Sequence, residues 1–338
     1  MRCRSKDTRR VYQEPEIKGL TLNAIVRRFL GTVLVLLGLL FPVIHGLANP
    51  NKTLVVISSD GGVYREIVRQ LESSKVLASG HYDLTVAANV TELDSRGVSE
   101  IITIGTRAAE AAYRQRPSVP VLSALITESG FNFLALKHYG SVEGALEQGI
   151  SVIYLDQPLH RLYNLGKLLL PGAQSIGIIG SDVAAISGTE TFILDHPELA
   201  TVNAVTLSDR SSPIKVLSPL MKRSDFVVVL PGKKSLTASV AKWVLQIGSH
   251  TRTPVIAFSK KYVTSGALAA VYTSPENVAA QIVRVLEKSR RLRSGVAQIY
   301  LPDGFSIELN TSVARILGVA PVEVADLQRE VSLMEGVR

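Results

Sequence analysis

Short β-branched runs recur along this chain, and each ends on a hydroxyl or a glycine just before a stretch of helical spacing. Leu54-Val55-Val56-Ile57 leads into Ser58-Ser59, Ile101-Ile102-Thr103-Ile104 into Gly105-Thr106, and Ile176-Gly177-Ile178-Ile179 into Gly180-Ser181. Apolar runs of this length, alternating with helices, build a parallel sheet buried on both faces. The core is accordingly aliphatic: 46% of residues are hydrophobic and only 6% are aromatic. In such a sheet the residues that end the strands line the edge where ligands bind. Each also opens a helix, whose first backbone N–H groups lack partners within the helix and can face an anion or a polar ligand. The 338 residues suffice for two ordinary domains.

The alternation predicts strands over 53–58, 82–87, 100–104 and 119–126, with helices over 63–75 and 107–114. Residues 127–148, with Gly130, Gly140 and Gly144, read as an irregular loop holding a helical turn or two. A second series follows, with strands over 151–155, 175–179, 200–206, 225–230, 254–258 and 266–272. Its helices cover 159–170, 236–247 and 275–292, the last with Pro275 in the first turn after Ser274. Strands 297–301 and 306–309 flank Pro302-Asp303-Gly304 and read as a hairpin. A short helix, 311–317, stops at Gly318. Two such series without a linker predict two lobes between which the chain crosses.

The formal charge of +8 resembles a nucleic-acid signal until it is located. Residues 1–48 hold eight Lys or Arg against three acids, so most of the excess lies ahead of the first strand. The later clusters, Lys233-Lys234, Lys260-Lys261 and Arg290-Arg291-Leu292-Arg293, read as solvated edges without stacking aromatics, and no nucleic-acid partner is expected. Arg27-Arg28, the apolar run 29–44 and His45-Gly46-Leu47-Ala48 have the layout of a secretory signal cleaved after Ala48. The alternative is an uncleaved N-terminal membrane anchor, for which the run is short against a span of about 20 residues. The single cysteine, Cys3, precedes this stretch, so disulfide and thiol chemistry are not expected of the exported chain. An export segment on a cysteine-free chain points to a bacterial periplasm.

Catalytic groups are scarce. The six histidines form no pair at metal-binding helical spacing, and no metal is expected. There is no Gly-x-Ser-x-Gly elbow. Pro231-Gly232-Lys233-Lys234-Ser235 lacks the earlier glycine of a phosphate loop, whose place Val227 takes. Asp60-Gly61-Gly62 reads as a turn at a cleft rim. No base–nucleophile pair can be named, so the chain reads first as a binder and only second as an enzyme.

Four segments carry a resemblance: Tyr154-Leu155-Asp156-Gln157-Pro158; Leu168-Leu169-Leu170-Pro171-Gly172-Ala173-Gln174-Ser175-Ile176-Gly177; Ser265-Gly266-Ala267-Leu268-Ala269-Ala270-Val271-Tyr272; and Leu309-Asn310-Thr311-Ser312-Val313-Ala314-Arg315-Ile316-Leu317-Gly318. In this order and spacing they resemble the ABC-transporter substrate-binding proteins of the tryptophan/tyrosine-type group, over residues 53 to 319. The resemblance implies an α/β, type I periplasmic-binding fold with two Rossmann-like lobes and parallel sheets joined by crossovers. The expected division is a basic tail and signal peptide over 1–48, a first lobe over 53–157 plus 259–301, a second lobe over 158–258, and a C-terminal hairpin, helix and tail over 302–338.

The candidate ligand-binding residues are Ser58, Ser59, Tyr64, Gly105, Thr106, Thr127, Asp156, Gln157, Ser181, Gly232, Ser259 and Gly266. The hydroxyls can donate to a carboxylate from strand ends, or can simply cap helices. Tyr64 would cover an apolar part of the ligand. Asp156 would pair with a ligand amine, or hold a hinge hydrogen bond. Gly232 and Gly266 would serve tight turns. The expected function is capture of a small amino-acid-like or carboxylate metabolite for an ABC permease, by a monomer that uses no cofactor. The alternatives are an envelope sensory protein with a membrane sensor as partner, and an α/β enzyme using Asp60 or Asp156.

Overall fold

A computed structural model describes residues 52–74, 77, 82–90, 97–180, 189–207, 212–231, 238–292 and 296–336, all within one of the chain's two units, Pro50–Arg338. The export segment, Ser181 and Gly232 lie outside the described residues.

The first half lays down β1 (Lys52–Ile57), α1 (Gly62–Glu72), β2 (Tyr82–Val86), β3 (Val98–Ile104), α2 (Thr106–Arg114), β4 (Val121–Ile126), α3 (Glu128–Tyr139), α4 (Val142–Glu147) and β5 (Ile150–Tyr154). Its strands pair in parallel in the order β2-β1-β3-β4-β5. The winding reverses between β1 and β3, as in a doubly wound sheet. The second half repeats the pattern. It has α5 (Leu159–Leu169), β6 (Ser175–Gly180), α6 (Thr189–Asp195), β7 (Thr201–Thr206), α7 (Pro213–Lys222), β8 (Phe226–Val229), α8 (Ala238–Thr251), β9 (Val255–Ala257), α9 (Lys260–Thr264) and β10 (Ala269–Tyr272). Their order is β7-β6-β8-β9-β10, again parallel.

Both faces of each sheet are covered, which is why the strands need no polar alternation. In β1, Val55 and Ile57 pack with Ile67 of α1 and with Ile282. Leu54 and Val56 face the other way, onto Ala108 and Ala112 of α2. Alanines let α2 lie close to the sheet. The second sheet is likewise sandwiched: Leu162, Leu165 and Phe192 cover one face, and Leu217, Val244 and Val263 the other. Each fully buried aliphatic side chain contributes roughly 1.5–3 kcal/mol relative to exposure.

The chain crosses between lobes three times. It passes to the second sheet after β5, returns after β10 to form α10 (Pro275–Leu292) and β11 (Ile299–Tyr300), and passes again before β12 (Ser306–Leu309). Thus β10 ends the second β–α series as β5 ends the first, and the return falls after Tyr272 rather than at the expected Ser259 boundary. Only α10 and β11 from the span 259–301 join the first lobe. The expected hairpin is also corrected. β11 pairs in parallel with β5, whereas β12 pairs antiparallel with β10, so Pro302-Asp303-Gly304 is a crossover between sheets. The irregular loop expected over 127–148 is instead α3 and α4, each opened by a capping hydroxyl, Thr127 and Ser141. After α11 (Thr311–Ile316), the tail is a helix, α12 (Val324–Gly336), which buries Leu327 and Val331 in the second lobe's core.

Candidate functional site

Because β1–β5 and β6–β10 run parallel within their sheets, their C-terminal ends gather at one edge of each lobe, and these edges face each other. Between them lies a cavity of about 310 Å³. The first lobe lines it with Leu125, Thr127 and Leu155, and the second with Pro231, Phe258, Ser259, Lys260, Tyr272 and Thr273. The wall at Leu125 is strained: its φ is +55°, beside an irregularity in the β4–β5 register between Ser123 and Ile126. A non-glycine residue held there costs of order 1–3 kcal/mol, and such strain clusters at ligand sites. Lys260, read from the sequence as part of a solvated edge, lines the cavity and pairs with Glu308 at 3.2 Å.

Several predicted residues meet at the first lobe's switch point. Ser58 is buried, and its Oγ accepts from the Ala108 N–H at 3.1 Å, satisfying a free donor of α2. Gly105 has φ +93°, and a Cβ there would stand 2.5 Å from Ser58 Oγ and 2.7 Å from Tyr64 Cε1. Ser58 and the Tyr64 ring therefore converge over Gly105. Thr106 is exposed on the first turn of α2. Thr127 caps α3, accepting from the Gly130 N–H at 3.1 Å. Ser59 is exposed on the β1–α1 connection. From the second lobe, Ser259 precedes α9 without capping it, so this cavity-lining hydroxyl is not spent on the helix.

Three predicted residues stand differently. Asp156 accepts from the Glu128 N–H at 2.6 Å and so holds the first crossover to the start of α3. Burial pushes its carboxyl up to about 6, against the opposing effect of that backbone bond. Gln157 is buried and does not itself line the cavity; it stands behind the lining, between the cavity residue Thr273 and Arg161. Gly266 has φ +118° and open space around its Cβ position, and it lies on an outer groove of the second lobe rather than in the cleft. Phe258, Tyr272 and Thr273 escape the sequence reading. For Phe258 and Thr273 the missed signal is their place at the ends of β9 and β10.

The crossovers share one knot. Arg161, with a side chain only 5% exposed, donates Nη1 to Gln157 Oε1 at 2.6 Å and to the Pro302 carbonyl at 3.1 Å. Gln157 Nε2 donates to Thr273 Oγ1 at 2.5 Å. Nε and Nη2 of Arg161 grip Glu335 of α12 at 2.5 and 2.8 Å, and its guanidinium lies 4.5 Å from the Phe305 ring centre. One guanidinium thus ties all three crossings to the C-terminal helix. Burial alone would raise the Glu335 carboxyl, but hydrogen bonds from His160 and Arg161 outweigh it and hold the group at about 2. No motif marks this knot in the sequence, because Arg161 and Glu335 stand 174 residues apart.

Among the described residues no group of three or more His, Cys, Asp or Glu could hold a metal ion, and no helix is long and apolar enough to cross a membrane. Neither a protein-family model nor a curated protein sequence matches the chain. Solved structures do. One is the ligand-free, open CD0873 of Clostridium difficile, a substrate binding protein with adhesive properties, at 17% identity and TM-score 0.62, covering 80% of this chain and 96% of that one. Another is the ABC domain from Streptococcus pneumonia in complex with L-Trp, at 15% identity and TM-score 0.53, covering 82% and 98%. A conserved domain protein from Vibrio cholerae matches at 15% identity and TM-score 0.54, covering 82% and 98%. The chain has their two-lobed α/β fold, the type I periplasmic-binding-like architecture.

Proposed function

We propose that this chain is an exported solute-binding protein that captures a small carboxylate, amino-acid-like in form, between its lobes without altering it. The observation that carries the reading is the cavity between two facing rows of strand ends, in lobes joined by three tied crossovers. Its chemistry suits such a ligand. The start of α3, whose cap Thr127 lines the cavity, favours negative charge, Ser259 and Lys260 add a hydroxyl and a cation, and Leu125, Leu155, Phe258 and Tyr272 would cover an apolar body. A ligand touching both edges binds the closed arrangement better than the open one and shifts the population accordingly. A protein of the same fold holds L-Trp, which accords with this ligand class. In this reading the N-terminal segment directs a monomer to the periplasm, and the closed form is handed to an ABC permease.

The test is thermal unfolding of the purified chain against a panel of amino acids and organic acids. A true ligand at about 100 times its Kd stabilises by about 2.7 kcal/mol. A panel that moves no transition overturns the reading, as does a ligand whose effect survives filling the cavity with Ser259→Trp.

A further inference from the structure

The second lobe lacks a helix that the first lobe has. Between β4 and β5 the first lobe carries α3 of 12 residues and α4 of six, packed beside α2 over one face of the sheet. The equivalent β9–β10 connection is α9, of only five residues. The flank of α8 that a longer helix would cover is left open, as a groove of about 1020 Å³. It shares Phe258 and Ser259 with the cleft cavity and runs away from it down α8.

The groove has the form of a helix seat. One stripe of α8, from Ala238 through Ala241 and Leu245 to Ser249, lines it at helical spacing. That stripe is about 16 Å long, or three turns. Ala238 and Ala241 on one wall and Gly266 on the other let a backbone approach closely, and Tyr262 and Val313 add apolar surface. Among the described residues that line the groove, the charged ones are Lys242 and Lys261, of one sign. Neighbouring Lys260 is already paired with Glu308.

We propose that this groove docks one amphipathic helix of a partner protein, apolar toward α8 and acidic along its flanks. Its concave form along one stripe of α8 favours a helix over a bilayer, and its charge favours an acidic one. The groove meets the cleft cavity at Phe258 and Ser259, whereas Lys242, Lys261 and the α8 stripe lie outside the cavity lining.

The test uses the full chain and its sole tryptophan, Trp243, which is part-exposed on α8 beside Lys242. Two synthetic amphipathic helices of about four turns, with the same Leu stripe but Glu or Lys flanks, are titrated while Trp243 emission is followed. The Glu helix should shift the emission saturably and the Lys helix should not. The double variant K242E/K261E alters two exposed side chains, and its fold is checked by its melting curve. It should weaken the Glu helix by about tenfold or more and admit the Lys helix. The proposal is overturned if neither helix shifts the emission, if both bind the unaltered chain alike, or if the double variant binds the Glu helix as well. It is also overturned if phosphatidylglycerol vesicles shift the emission and the Glu helix does not.

Discussion

Two glycines with left-handed backbone separate conformational strain from contact. Gly266 has φ +118° and nothing within 4 Å of its Cβ position, whereas Gly105 has φ +93° and would press a Cβ onto Ser58 and Tyr64. Gly266→Ala should therefore cost about 1 kcal/mol, from backbone conformation alone. Gly105→Ala should cost about 3 kcal/mol or more, because a capping serine and a ring must also move. Urea unfolding of the two variants gives the difference, and equal losses would mean that Ser58 and Tyr64 do not crowd this turn. Thr127 offers a second dissection, since it both caps α3 and lines the cleft cavity. Thr127→Ala should lower stability by about 1 kcal/mol. Thr127→Ser should restore the cap, so any loss of ligand affinity that Ser leaves uncorrected belongs to the threonine methyl in the cavity.

At the scale of elements, legibility follows how locally each is specified. β1, β3 and β6 stand out because burial on both faces leaves each a stretch rich in aliphatic and β-branched residues, such as Leu54–Ile57 and Ile101–Ile104. α3 does not, because apolar residues lie on both of its sides: Phe131, Leu134 and Ala135 are buried, while Phe133 and Leu136 are 60% and 66% exposed. The helical period is thereby blurred. Pro302-Asp303-Gly304 has sound turn chemistry, but the choice between folding back and crossing to another sheet is made by distant partners. The same holds for the site. The strand-end rule picks out Thr127 and Ser259, which line the cavity, and Ser58 and Gly105, which meet at the ends of β1 and β3 outside its lining; it cannot pick out the Arg161 knot, whose members come from four parts of the chain. The anchoring of α12 tests that knot. Glu335→Gln leaves the buried Arg161 without its carboxylate and should cost about 3 kcal/mol at neutral pH. The sign with pH is fixed, because the folded-state carboxyl sits at about 2 against an ordinary 4.5. The contribution is complete above about 4.5 and drains away as pH falls toward 2. The gap between wild type and variant should close over that window, and a gap independent of pH would mean that the ion pair is not its source.

At the scale of the whole molecule, the two lobes move as bodies only as far as their three crossings allow. Gln157 joins the first crossing to the second through Thr273, and Arg161 joins the first to the third through the Pro302 carbonyl. Hydrogen bonds between crossings resist their sliding past one another and so narrow the range of lobe separations. Gln157→Ala removes the bond to Thr273 while leaving Arg161 on Pro302 and Glu335, so the fold should survive and the range should widen. Small-angle X-ray scattering should then give the ligand-free variant a larger radius of gyration, and ligand should bring both proteins to the same closed value. Ligand affinity should fall in step, because apparent affinity scales with the fraction of molecules able to close: a tenfold smaller fraction gives about a tenfold higher Kd. Among the cavity-lining residues Thr273 loses its bond from Gln157, so the weakening should appear alike for every ligand that does not rest on the Thr273 hydroxyl. An unchanged radius with weakened binding would place Gln157 in ligand contact, and unchanged values of both would remove the crossings from control of closure.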